Sequence, residues 1–159
     1  VDVRWAKPDG AEELVRLRQM MWDGMGVESG DAWHEAAAVQ LRAGVADGTF
    51  FAAVIDSPNG DGLAAGGVGT VWQGLIGPGD GRFGYIQSMA TDPRWRRRGL
   101  ARLVLDALIG RFGELRIATV RLHASRFGEP LYRSVGFTDP GHLELQLRLT
   151  SSPVPASTS

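Results

Sequence analysis

Apolar residues recur along this chain in two rhythms, and the places where one gives way to the other lay out its elements. Val1–Trp5 alternates valine with polar residues until Pro8-Asp9-Gly10 breaks the pattern, which predicts a first strand, a turn and a helix start. Leu14, Leu17, Met21 and Met25 keep a helical spacing over Ala11–Met25, as do Trp33, Ala37, Leu41 and Val45 over Asp31–Val45. Gly24, Gly26, Ser29 and Gly30 interrupt these two amphipathic helices, and Asp31 is the expected N-cap of the second. Thr49–Asp56, the turn Ser57–Gly62 and Leu63–Trp72 then predict an antiparallel hairpin.

After a glycine-rich connection, Phe83–Thr91 reads as a fourth strand, ended by Asp92-Pro93. Gly99–Phe112 is the longest helix, with Leu100, Leu103, Val104, Ala107 and Leu108 expected on its buried face. Ala118–Ala124 reads as a fifth strand and Pro130–Val135 as a short helix. His142–Leu149 reads as a last strand with Leu143, Leu145, Leu147 and Leu149 on one face. The order β-α-α-β-β-β-α-β-α-β is a mixed α/β (α+β) pattern: hairpins first, then a β-α-β crossover, hence a mixed, mostly antiparallel sheet flanked by helices. Residues 1–150 are expected to form one domain and residues 151–159, poor in apolar side chains, a disordered tail.

Composition narrows the partners. Seventeen Lys+Arg against 18 Asp+Glu leave a net charge of −1, so attraction to a polyanion has to come from local clustering, and nucleic acid is not the expected partner. The absence of cysteine excludes disulfides, thiolate metal sites and a cysteine nucleophile. No window approaches the ~18 consecutive apolar residues of a membrane span. Val1-Asp2-Val3-Arg4 lacks the basic-then-apolar layout of a signal peptide, so the cytoplasm is the expected location.

The chemistry concentrates in Tyr85–Ala101, a strand, a proline-stopped turn and a basic loop opening straight into a helix. The first turn of a helix leaves backbone N–H groups unpaired at the positive end of its dipole, so an anion can bind there without a dedicated side chain. Gly99 permits close backbone approach, Ala101 keeps the next turn open, and Arg96, Arg97 and Arg98 add positive charge. A pyrophosphate suits this site. Gly60-Asp61-Gly62-Leu63-Ala64-Ala65 formally matches a dinucleotide fingerprint but lies between two strands and opens no helix, so it reads as a hairpin turn.

Arg96-Arg97-Arg98-Gly99-Leu100-Ala101 resembles the Arg/Gln-x-x-Gly-x-Gly/Ala coenzyme A signature of the GNAT acetyltransferase superfamily. Leu122-His123-Ala124-Ser125, followed by Leu131-Tyr132-Arg133-Ser134-Val135-Gly136-Phe137, looks like that family's fifth strand and closing Leu-Tyr-x-x-x-Gly-Phe helix. The resemblance covers roughly Tyr85 to Phe137, while the N-terminal half agrees only in element order. It implies acetyl-coenzyme A as cosubstrate and no metal, with the pyrophosphate on the backbone of Arg96–Ala101 (Leu100 included) and the pantetheine pairing like an extra strand with Met89, Ala90 and Thr91. It further implies Tyr132 as the acid that protonates the leaving thiolate. That chemistry is sensible, because amine attack on a thioester expels a thiolate of pKa near ~8.5 and a phenol of pKa about 10 can supply the proton.

Two positions depart from the family pattern. Ser125 stands where asparagine is common, yet can still hydrogen-bond the pantetheine, and Gly128 stands where alanine is common. Where some members carry a glutamate base on the fourth strand this chain has Tyr85, which leaves the base open between a water chain, Gln87, His123 and an acid such as Asp23, Glu28, Asp31 or Glu35. His123 lies between apolar strand neighbours and reads first as a structural histidine; His34 and His142 read as surface or pocket-rim residues, and their spacing implies no metal. Met20, Met21, Trp22, Met25 and Trp33 read first as core, with an acceptor pocket as the alternative. The implied activity is acetyl transfer to a primary amine, of a small molecule in the first instance, with a homodimer as an admissible assembly. Competing readings are a protein-amine acetyltransferase, an acyl-coenzyme A sensor without turnover, and an arginine-mediated nucleic-acid binder whose affinity would fall steeply with salt.

Overall fold

The computed structural model of the chain describes residues 1–153, so the last part of the expected tail, residues 154–159, lies outside the described residues. One five-stranded sheet is formed in the order β1-β2-β3-β4-β5, from β1 (Arg4–Trp5), β2 (Phe50–Asp56), β3 (Leu63–Gln73), β4 (Arg82–Thr91) and β5 (Val120–Leu122). Neighbours are antiparallel except β4 and β5, which run parallel. Helices α1 (Ala11–Gly24) and α2 (His34–Asp47) cover one face. Helix α3 (Leu100–Glu114) and the short α4 (Glu129–Ser134) belong to the other.

Each face has its own core. Leu14, Val15 and Leu17 of α1 pack with Leu41 of α2 against Val54 and Val68 of the sheet. Val104, Leu105, Leu108 and Phe112 of α3 pack against Ala53, Ile55 and Ile86 on the opposite side. The buried stripe of α3 differs from the expected one: Leu105 is fully buried, whereas Leu103 is 37% exposed. Phe112 extends that stripe by a turn and sits over Gly69 and Gly84, which tilts the buried face away from Leu103. The Met20–Trp33 group is not core either. Only Met20 and Trp33 pack against the α1–α2 core, and Met25 is 47% exposed.

Other boundaries move. Helix α2 begins at His34 with Trp33 at its N-cap and no side-chain cap, so Asp31 does not cap it; Asp31 instead accepts the His34 N–H through its backbone carbonyl. The expected last strand does not form. His142–Leu149 pairs with no strand among the described residues, and Leu143, Leu145, Leu147 and Leu149 are 82–86% exposed. Period-2 alternation records a preference for one-sided burial, and a strand also needs a neighbour's ladder. Here β5 pairs over only three positions, all of them with β4.

Candidate active site

The site is built where β4 outruns β5. Strand β4 pairs with β5 only through Gly84–Val120, Tyr85–Arg121 and Ile86–Leu122, whereas its pairing with β3 continues to Thr91. Gln87–Thr91 therefore have no strand on their β5 side among the described residues. Within that stretch the register shifts: Gln87 pairs Val68 and Ala90 pairs Gly66, leaving Ser88 and Met89 opposite Gly67. Ser88 has φ +59°, a left-handed conformation rare for a residue with a side chain, and it marks a β-bulge. The bulge explains why Ile86 and Met89, three apart, both pack toward the α3 core while Ala90 packs toward α1 and α2.

Asp92 closes the strand. Its buried carboxylate accepts from the backbone N–H and guanidinium of Arg94 and from Arg16 Nη1 of α1 at 3.0 Å. Those hydrogen bonds, led by Arg94, hold its pKa down at about 2. The loop that follows is thereby fixed to both β4 and α1. Within it Arg97 (φ +62°) and Gly99 (φ +75°) adopt left-handed conformations, and Gly99 occupies the N-cap of α3 with no side-chain cap. The first-turn amides of this 15-residue helix thus have no side-chain acceptor. A Cβ at Gly99 would meet nothing within 4 Å, so the space in front of the helix is open.

The basic cluster divides in two. Arg94 is bound to Asp92 and Asp61, and Arg102 to Asp106. Arg96, Arg97 and Arg98 are exposed and make no ion pair among the described residues; Arg98 lies 5.0 Å over the Trp95 ring. Trp95 Nε1 is buried without a hydrogen-bond partner among the described residues. A segment with three arginines lacking counter-ions, left-handed backbone and an uncapped helix start suits an anion.

Tyr132 borders the same place from below. It shares the α3-side core with Leu100, the first residue of α3, and Met89 packs against that core. Its ring lies 6.0 Å from Phe137, edge to face. A Cβ at Gly128 would come within 2.9 Å of the ring, so the glycine is what lets Tyr132 settle here. Burial alone pushes the Tyr132 hydroxyl up from the ordinary phenol value, which keeps it protonated near neutrality. Ser125 Oγ accepts the Gly128 N–H at 3.1 Å and so holds the turn that starts α4. Of the expected site residues, Met89–Thr91 lie on the unpaired β4 edge and Arg96–Ala101 on the loop and helix start. Leu100 is buried and offers only its backbone.

One cluster was legible in the sequence only in pieces. The Tyr85 hydroxyl hydrogen-bonds His123 Nδ1, and His123 Nε2 lies 2.6 Å from Glu144 Oε2. His123 is thus exposed and linked, not a buried strand histidine. Of the other residues considered as a base, Asp23 and Glu35 line a groove of about 750 Å3 between α1 and α2, whereas Tyr132 belongs to the core on the opposite sheet face.

Comparison with known proteins decides the family. The model of the acetyltransferase (GNAT) domain matches residues 65–144, from β3 through the loop, α3, β5 and α4. The chain belongs to the GNAT acetyltransferase family. A predicted acetyltransferase with acetyl-CoA from Clostridium acetobutylicum is similar over 91% of this chain and 95% of its own, at 26% identity and a TM-score of 0.81. A GCN5-related N-acetyltransferase from Ralstonia eutropha JMP134 is similar over 92% and 97%, also at 26% identity, with a TM-score of 0.80. Glucosamine-6-phosphate N-acetyltransferase from Arabidopsis thaliana shares the fold over 94% and 98%, at 16% identity and a TM-score of 0.74. No curated protein matched the chain. No helix among the described residues of this GNAT protein is long and apolar enough to cross a membrane.

Proposed function

We propose that this GNAT protein transfers an acetyl group from acetyl-coenzyme A directly to a primary amine of a small molecule. The observation that carries the reading is the unpaired edge of β4, Gln87–Thr91, leading through a fixed loop into the uncapped start of α3. A pantetheine arm carries amides that can complete a strand edge, and a pyrophosphate suits the amides of Gly99, Leu100 and Ala101 beside Arg96–Arg98. The residues present fit acetyl-coenzyme A on both counts.

The chemistry follows from Tyr132. As the amine nitrogen bonds to the thioester carbonyl carbon, the C–S bond breaks and the sulfur takes up a proton. A phenol kept protonated by burial, on the core beside Met89 and Leu100, is the donor this geometry supports. With no cysteine in the chain, direct transfer is favoured over a thiol acyl-enzyme.

The test is thermal stabilisation by acetyl-coenzyme A, then thiol release across a panel of small primary amines and lysine peptides. The proposal expects stabilisation and amine-dependent thiol release, fastest with a small amine. Stabilisation without release for any amine would make the protein a binding module instead.

A further inference from the structure

Two groups on the α1 side of β4 take no part in holding coenzyme or protonating its sulfur. Gly84 lies against Phe112 and Ile86 is in the α3 core, so Tyr85, between them, points to the opposite face, toward α1. There its ring stacks on Trp72 at 4.7 Å and 8°. A carboxylate can only accept, so the 2.6 Å contact from Glu144 assigns a proton to His123 Nε2 and leaves Nδ1 to accept from the Tyr85 hydroxyl. The chain Tyr85–His123–Glu144 is therefore polarised to move a proton away from Tyr85. It sits one residue before the last β4–β5 pair, where the unpaired edge begins.

The second group is Arg18 of α1. Three arginines among the described residues are half-buried, namely Arg16, Arg18 and Arg82. Arg16 is paired with Glu13 and Asp92, and Arg82 with Asp80. Among the described residues Arg18 makes no ion pair or hydrogen bond; its guanidinium lies 5.5 Å over the Trp22 ring, within charge range of Tyr85. A half-buried guanidinium without an anion is costly unless an anion arrives. Desolvation lowers its pKa, in keeping with that cost.

We propose that Arg18 and Tyr85 form the acceptor end of the site, and that the acceptor is a small amine carrying a carboxylate or a phosphate. Arg18 pairs with the anion. As the amine nitrogen bonds to the acyl carbon, its N–H proton passes to the Tyr85 oxygen and the Tyr85 hydroxyl proton passes to His123 Nδ1. Glu144 stabilises the imidazolium, and the exposed ring returns the proton to solvent. Tyr132, having given its proton to the sulfur, is reprotonated from solvent, so protons balance. The groups facing this relay are Tyr85 from β4, Glu144 from the segment after α4 and Arg18 from α1; Arg121 on β5 is turned over Phe83 at 4.2 Å.

The inference rests on the proposed acetyl transfer, and the experiment separates the two. Wild type, Arg18→Gln, Arg18→Lys and His123→Gln are assayed with acetyl-coenzyme A and four acceptor sets: amino acids, their amides, phosphate-bearing amines and the dephosphorylated amines. Removing one partner of a desolvated charge pair should raise the KM for the anionic acceptor at least about 30-fold in Arg18→Gln. Arg18→Lys should recover part of that loss, and the KM for the neutral analogue should rise far less than that for the anionic acceptor. The amino-acid and phosphate arms identify which anion is bound. In His123→Gln, kcat should fall and its solvent deuterium isotope effect should shrink, with coenzyme affinity unchanged. Equal loss for charged and neutral acceptors in Arg18→Gln, or an unchanged kcat and solvent isotope effect in His123→Gln, overturns the inference while acetyl transfer stands. Failure of wild type to bind acetyl-coenzyme A overturns both.

Discussion

The chain holds two tyrosines, and the fold treats them in opposite ways. Tyr132 is 9% exposed, is packed by Phe137 and Gly128, and is perturbed by burial alone. Tyr85 is half-buried, stacked on Trp72 and hydrogen-bonded to a histidine that a glutamate in turn contacts. Burial is the first cause that raises both phenols above the ordinary value, so the partner separates them: among the described residues Tyr132 has none, whereas Tyr85 has His123. A buried phenol without a partner keeps its proton until a leaving thiolate takes it, whereas a hydrogen-bonded chain passes one on.

The largest expected effect breaks the comparison on the Tyr132 side. Tyr132→Phe keeps the ring and its packing and deletes only the donor, so single-turnover acetyl transfer should fall by about 10²–10⁴ with little change in coenzyme affinity. Tyr85→Phe should be milder, at roughly 10–100-fold in kcat, because water can substitute in a half-exposed relay. If the two substitutions cost the same in single-turnover rate, the tyrosines are not specialised as described.

The smallest effect sharpens the comparison by loosening what joins its two halves. Asp92 ties Arg16 of α1 to Arg94 of the loop; its carboxylate is buried but both arginines are partly exposed, so Asp92→Asn should lose only about 1 kcal/mol in urea unfolding. Its folded pKa is lowered to about 2 from 3.8. The stability it contributes is therefore present above about pH 4 and is lost as pH falls through about 2. Acid titration of the wild type should show that loss, and the Asn variant should show less of it. Equal acid sensitivity would assign the effect to other depressed carboxylates, such as Glu13 and Asp56.

What could be read from the sequence follows from what each feature depends on. The loop Arg96–Ala101 and the helix after it are local, and glycine with a small residue at the helix start reports their geometry directly. The bulge at Ser88 has no glycine to mark it, and its trace in the sequence is the three-residue spacing of apolar Ile86 and Met89 inside a strand. Arg18 was invisible, since a helical arginine looks alike whether or not the fold gives it a carboxylate. The Tyr85–His123–Glu144 chain joins residues 38 and 21 positions apart, a juxtaposition that only the parallel β4–β5 pairing and the returning segment create. His142–Leu149 failed for the converse reason: its alternation is local, but the ladder it needs is not.

The central claim, that the start of α3 holds the pyrophosphate of acetyl-coenzyme A, is tested most directly by calorimetric titration of wild type and Gly99→Glu with that ligand. A Cβ at position 99 meets open space, although φ is +75°, so the variant should fold with at most a modest loss of stability. Its carboxylate would stand where the phosphates are proposed to bind. The account predicts saturable binding to wild type and none to the folded variant. A folded Gly99→Glu protein that binds acetyl-coenzyme A as tightly as wild type would contradict it.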